Sequence, residues 1–497
     1  MKPIEKLKAF LVRLEQLWYM KITLDWDFAY CRPKKTRYNY SHMLASLIKE
    51  KLRSDEFGKI IKAAEAQKDL TENQIRLVRN AKRDYQISTN FPKNLQKGIQ
   101  GTFVDLYNLD RFNSSIEALL KLLKRYAQKI SLRENSFDTL IALEQPCLTS
   151  EIINRMISNL KPLIRTILHR YSFKTDRVNT CKSTIYSNIP IFKGYYNKKI
   201  QLKLIKLVLL KLGFNFDSGE MIENPNNSGG ETYQITPGDT RITFPLNSYN
   251  LIQGLFVALH ECGHYLHIQG RIWWTRRSWR SGSAYCSSPA IFEAIGILYQ
   301  NFLGHNIHFW EWLFPIFQQF FPKKLKNYPL NAFLSELREP QPSYSMKYRS
   351  WDEVSYLCYD ILQFEIGRDL FNGTLKVQDL ADRWYSDMED MLGISPPLEF
   401  KRDIVDLPNI TRGELTSNLS YILGAIYAAQ LWAHIHKSRF ELHTDFKQGN
   451  FRQFHQDLRK KIFQYGGLYN SHELLKEVTN ESINSNYLKE YLKSNYL

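Results

Sequence analysis

The run His260-Glu261-Cys262-Gly263-His264 holds two imidazoles four residues apart with a carboxylate between them. It follows the apolar stretch Leu255 to Leu259, which predicts a helix through the motif. On a helix His260 and His264 stand one turn apart on the same face, where they can grip one zinc ion. Glu261 projects beside that face, placed to take a proton from a water polarised by the metal. The bland alternative is two surface or core histidines around a glutamate.

A catalytic zinc needs three protein ligands and an open position. Gly270 occupies the place six residues after His264 where one class of peptidase has a third histidine. His267, three residues on, either faces elsewhere or supports the site. A second class uses a glutamate from a later helix, and Glu293 opens such a pattern 29 residues past His264. Cys286, in an irregular segment, competes as a thiolate ligand. The plain reading of Glu293 is a glutamate favoured near a helix start by the dipole.

These residues need a scaffold. Apolar residues recur at helical spacing over Ile4–Trp18, Tyr40–Leu52, Ser115–Lys129, Ile152–Tyr171, Lys198–Leu212, Leu251–Gln269, Ala290–Leu303, Glu353–Leu370, Val377–Leu392 and Leu419–His434. The best strand signal is Tyr233–Phe244, with loops at Ile222–Gly230, Arg280–Pro289 and Glu339–Tyr344. The expectation is a mainly α body with a small β-sheet near the motif helix. It forms a single domain, with a helical part over about 1–220 and a catalytic part over about 221–497.

The 497 residues carry a net charge of +17, but the basic residues gather in no tail and no aromatic-basic RNA signature appears. No nucleic-acid partner is expected. Six cysteines without a CxxC pair argue against a disulfide framework. The chain shows no signal peptide, and its longest apolar run, Tyr421–Ala433, is too short for a bilayer. A cytoplasmic location is expected, with no membrane partner.

The sequence resembles the carboxypeptidase Taq, or M32, metallocarboxypeptidases over nearly its whole length. Leu24-Asp25-Trp26-Asp27 is similar to that family's HWDQ-type signature, Asp239 to Thr243 to its DxRxT motif, and His260 to His264 to its HExxH. Laid without gaps from Ala290, the family's third-ligand segment puts its glutamate on Glu293 and also matches Asn301, Gly304, Phe309-Trp310-Glu311 and Pro315. That register favours Glu293 over Cys286. Later matches include Asp352-Glu353-Val354, Phe364-Glu365, Leu423-Gly424 and Tyr427 to Leu431.

The resemblance implies a gluzincin-type body with a deep groove, and zinc, replaceable by cobalt or manganese. It further implies peptide substrates shortened from the C-terminus, and a homodimer. Several cleft motifs depart from the family. Its HPF segment falls near Gly229 to Glu231, the residues flanking the ligand glutamate are Phe292 and Ala294, its IRxEAD arginine falls near Tyr348, and its QDxHW motif keeps only Asp406.

Asp239, Arg241 and Thr243 share a strand face: either Arg241 binds a substrate carboxylate, or the strand pairs with an extended peptide, or Asp239 and Arg241 simply brace the site through hydrogen bonds. Lys347 and Arg349 are further cationic candidates. Tyr421, Tyr356 and Tyr348 compete to stabilise an oxyanion. Two rival functions stand beside the carboxypeptidase: an oligopeptidase or endopeptidase, and a metal-binding interaction protein without turnover.

Overall fold

The computed structural model describes residues 1–31, 35–90, 109–172, 195–224, 229–271, 288–340, 352–393, 407–439 and 441–497. Cys286, Lys347, Tyr348 and Arg349 lie outside them. The chain begins with helices α1 (Pro3–Trp26), α2 (Lys35–Leu52), α3 (Asp55–Glu65), α4 (Glu72–Asn90), α5 (Leu109–Ile130), α6 (Ser136–Glu144), α7 (Ser150–Ser172) and α8 (Lys198–Leu212). A small sheet follows, formed by β1 (Gly219–Glu223), β2 (Glu231–Thr236) and β3 (Asp239–Phe244).

The rest is helical again. Around the site stand α9 (Leu251–Gly270) and α10 (Pro289–Ile297), which runs into a π-helical turn at Leu298–Leu303. Next come α11 (Ile307–Phe320), α12 (Pro322–Leu325), α13 (Leu330–Leu337), α14 (Glu353–Asn372), α15 (Leu380–Leu392) and α16 (Pro408–Thr411). The chain finishes with α17 (Leu419–Ser438), α18 (Leu442–Lys447), α19 (Arg452–Lys461), α20 (Ser471–Thr479) and α21 (Asn486–Tyr496). One continuous apolar cluster reaches from Ile4 in α1 to Tyr496 in α21.

All ten segments with helical periodicity are helical, and the sheet lies beside the motif helix as expected. Two local readings are corrected. The run Tyr233–Phe244 is a hairpin rather than one strand: Pro237-Gly238 makes the turn, with proline presetting φ and glycine relieving sterics. Ile222 and Glu223, read as loop, belong to β1, which pairs in parallel with β3 in the order β1-β3-β2. That pairing is tertiary, and GEMIE carries little β signal of its own.

Helix α9 is buried at every residue except Gln269. A helix apolar on all sides must run through a core, and β3, α8 and α10 surround it. Asn250 fixes its start by accepting from the backbone N–H groups of Ile252 and Gln253. Helix α10 starts as sharply, with the Ser288 hydroxyl accepting from Ala290 N–H and Pro289 in the first turn. At the crossing, a Cβ on Gly263 would sit 2.8 Å from the Ile295 carbonyl oxygen. The absent side chain lets α9 and α10 touch through backbone.

Candidate active site

The α9–α10 contact brings the motif to the later glutamate. Glu293 Oε2 lies 3.3 Å from His260 Nε2 and 4.0 Å from His264 Nε2. Ligand atoms of His260, Glu261 and His264 also lie within 4.8 Å of one another. Two glutamates therefore border the same imidazole pair. They differ in what else they touch. Glu261 Oε2 accepts the Thr232 hydroxyl at 2.5 Å, whereas the buried Glu293 Oε2 accepts no hydrogen bond among the described residues.

An acceptor buried without a proton donor is costly unless a cation neutralises it. Three such groups can hold one divalent ion, with Glu261 left beside it. Sequence reasoning brought these four residues together, and the structure does the same.

The histidine rings are held chiefly by carbon. Phe292 stacks on His264 with coplanar rings, centroids 3.8 Å apart. Gly296 lies flat against His260, and a Cβ there would come within 2.6 Å of the imidazole Nε2. Neither Nδ1 finds a hydrogen-bond partner among the described residues. Burial pulls the His260 pKa down, but the Glu293 and Glu261 carboxylates and the Gln300 amide outweigh it and leave it raised. His264 is driven well below the usual imidazole range by burial and by the neighbouring histidines.

Glu261 sits in a different setting. Burial pushes its carboxyl up to about 7, although His260 and the Thr232 hydroxyl pull the other way. Thr232 lies on β2 opposite Ile242 of β3, so the sheet carries the hydroxyl to the carboxylate. Gly230, just before β2, lets the backbone lie against Glu261, since a Cβ there would be 2.6 Å from Oε1. Thr232 escaped sequence reasoning because it fell between the expected loop and the expected strand.

A cavity of about 120 Å³ opens beside His260 and Glu261. Tyr421 lines it with its ring 6.4 Å from that of His260, and Tyr356 stands 5.1 Å from Tyr421. Gln300, Asn301, Glu353 and Asp360 line it too, and none was singled out as cavity wall from sequence. The signal existed for two of them: Gln300 and Asn301 lie seven and eight residues after Glu293, a helical repeat.

Asp239 and Arg241 are not among the lining residues. Arg241 donates to Asp239 at 2.8 Å, approaches Glu220 at 3.6 Å and lies over the Trp26 ring of α1. Thr243 is buried and accepts the Glu231 N–H. These residues join the sheet to the first helix. Thr240, facing the other way, accepts from Gln269 and ties β3 to α9. His267 is buried between Phe292 and Phe463 and is pushed down to about 3 by burial and by Arg271, so it stays neutral.

Residues 6–496 match the family model of the carboxypeptidase Taq (M32) metallopeptidases. The chain belongs to the M32 family. This M32 chain is 23% identical over 513 residues to thermostable carboxypeptidase 1 of Pyrococcus furiosus, covering 99% of each chain. It is 27% identical over 385 residues to carboxypeptidase 1 of Bacillus subtilis, covering 78% of this chain and 73% of that protein. Its fold is that of the M32 carboxypeptidase of Deinococcus radiodurans, with TM-score 0.87, 21% identity and coverage of 100% and 99%. A metallopeptidase family implies a divalent metal, and the buried His-Glu-His group is where this chain can take one. No described helix is long and apolar enough to cross a membrane.

Proposed function

We propose that this M32 metallocarboxypeptidase holds one zinc ion on His260, His264 and Glu293 and uses Glu261 as general base to release C-terminal residues from peptides. The observation that carries the metal assignment is the buried Glu293 Oε2, without a hydrogen-bond donor, facing two imidazole nitrogens. Two nitrogens and one carboxylate oxygen suit zinc, and cobalt or manganese can replace it on such a set. When bound, the ion supplies Lewis acidity to water and to the scissile carbonyl.

The side chains do the rest. Thr232 fixes one oxygen of Glu261, and burial places its proton affinity near neutrality. A carboxylate so placed takes a proton from the attacking water and returns it to the leaving amine. Tyr421, on the cavity wall beside His260, is the stronger candidate to stabilise the oxyanion, with Tyr356 behind it. Arg241 supports the sheet rather than the substrate, because Asp239, Glu220 and Trp26 already engage it.

We read the chain as one domain, supported by its continuous core. Cys31, Cys147, Cys262 and Cys358 are unpaired, which fits a reducing compartment such as the cytoplasm. A homodimer is carried by family resemblance alone, and sedimentation measures it directly.

The deciding experiment compares the zinc-loaded native chain with Glu261→Gln on peptides with free and amidated C-termini. Native enzyme shortens only the free peptides, and the variant keeps its metal while losing about 10³-fold in kcat. Internal cleavage of amidated peptides would turn the reading to an endopeptidase. Undiminished turnover by the variant would remove Glu261 from the mechanism.

A further inference from the structure

Three histidines outside the active site meet where α11, α17 and α18 come together. His308 comes from α11, His436 from the last turn of α17 and His443 from α18. The His308 and His443 ring centroids lie 4.5 Å apart, with the rings at 72°. Those of His436 and His443 lie 5.2 Å apart, at 49°. In the motif, His260 and His264 stand 4.5 Å apart at 89°. The second cluster has close to the ring spacing of the first.

Two of the three rings are already oriented. His308 Nδ1 meets Glu311 Oε2 at 2.7 Å, one turn along α11. With that nitrogen donating to the carboxylate, Nε2 keeps its lone pair. A carboxylate behind the imidazole is the support that metal-binding histidines usually have. The Nδ1 atoms of His260 and His264 have no such partner among the described residues. His436 lies against Trp432, centroids 4.1 Å apart, and its buried Nε2 has no hydrogen-bond partner among the described residues. His443 is exposed, which leaves its ring room to turn.

The charge state suits a metal as well. Burial, with His443 and His308 beside it, pushes the His436 imidazole down to about 4. Burial, His308 and Lys447 lower His443 too. Both imidazoles are therefore neutral near pH 7, the form that binds an ion. The Lys447 ammonium is engaged at 3.2 Å by the same Glu311 oxygen that supports His308.

We propose that His308, His436 and His443 form a second metal site, for a divalent transition ion of the zinc, nickel or copper kind. Imidazole nitrogens suit these ions, whereas magnesium and calcium take oxygen. The site shares no residue with the active centre. Among the described residues only the motif group already has its ligand atoms within 4.8 Å of one another. The second site closes when His443 turns toward the other two, so it binds more weakly than the first. An ion there fastens the end of α17 to α11 and α18, and the first turn of α17 carries Tyr421 to the active-site cavity.

The test uses zinc alone as the probe. Untagged full-length chain is dialysed against a series of free zinc concentrations, and bound metal is counted by atomic absorption. The native chain should take up two ions, the second at higher free zinc, with a further rise in thermal midpoint as that site fills. His443→Ala, which removes an exposed side chain, and His436→Gln should each weaken the second ion by about 100-fold, and Glu311→Gln by about tenfold. All three should keep the first ion, and His264→Ala should keep the second. One ion per chain at every zinc concentration overturns the site. A second ion that survives both His443→Ala and His436→Gln binds elsewhere and also overturns it. Peptide release, assayed separately, tests the active centre and not this cluster.

Discussion

His260 and Glu261 are neighbours in sequence, yet the protein holds them by different means. The His260 imidazole, like that of His264, is wedged by carbon: a glycine backbone against one ring, a phenylalanine against the other, and no described hydrogen bond to either Nδ1. The carboxylate of Glu261 is held by a hydroxyl from a separate sheet. Metal-binding histidines usually gain their orientation from a hydrogen bond on the far nitrogen. Shape does that work here, and the polar support goes to the residue proposed as the general base. Metal affinity and turnover should therefore respond to different mutations.

The sharpest way to break this contrast is a pair of glycine substitutions. Gly296→Ala places a methyl 2.6 Å from His260 Nε2, and Gly230→Ala places one 2.6 Å from Glu261 Oε1. The first is expected to weaken zinc binding by about 100-fold, read by competition with a chelating dye. The second should keep zinc and lose most of its kcat. Equal loss of metal in both would erase the distinction.

Next in size, Phe292→Ala frees the His264 ring from its stack, with metal affinity expected to fall about tenfold. Thr232→Val removes the hydroxyl from Glu261, and kcat should drop about tenfold with zinc content and KM little changed. Thr232→Ser, which restores the donor, should recover most of the rate. A Thr232→Val enzyme with native kcat would show that Glu261 needs no such support.

The smallest effect is on stability against pH. His267 has its folded pKa depressed to about 3, chiefly by burial, against an ordinary 6.5. The unfolded chain thus binds a proton that the folded chain refuses. Stability from this group is present above about pH 6.5 and declines as pH falls toward 3. His267→Phe should flatten the fall of the thermal midpoint on acidification by roughly one proton's worth. An unchanged slope would show that His267 does not drive it.

The helices and the metal group were readable from sequence because both rest on local spacing. HExxH places the two proposed histidine ligands one turn apart by helix geometry alone, and the apolar run around it announces a buried helix. Glu293 became legible through an ungapped register with a family. What escaped was set by tertiary contact. The GEMIE segment is a strand because β3 lies beside it, and Thr232 matters because the hairpin carries it to Glu261. Arg241 looked like a substrate ligand by charge, and only the structure shows Trp26 and Asp239 engaging it. The cavity acids come from a helix over 50 residues beyond the motif, a separation no local pattern spans.

The π-helical turn at Leu298–Leu303 carries one more consequence. Such a turn holds one residue more than an α-turn, so everything after it is rotated relative to Glu293 by about 100°. It also carries Gln300 and Asn301 into the cavity. Glu293 and the cavity residues thus share one continuous segment, Glu293 before the turn and Gln300 and Asn301 within it. Deleting a single residue there would re-aim the wall and leave the ligand's own helix untouched. For an evolving lineage, that is a way to change diet in one step without first losing the ion.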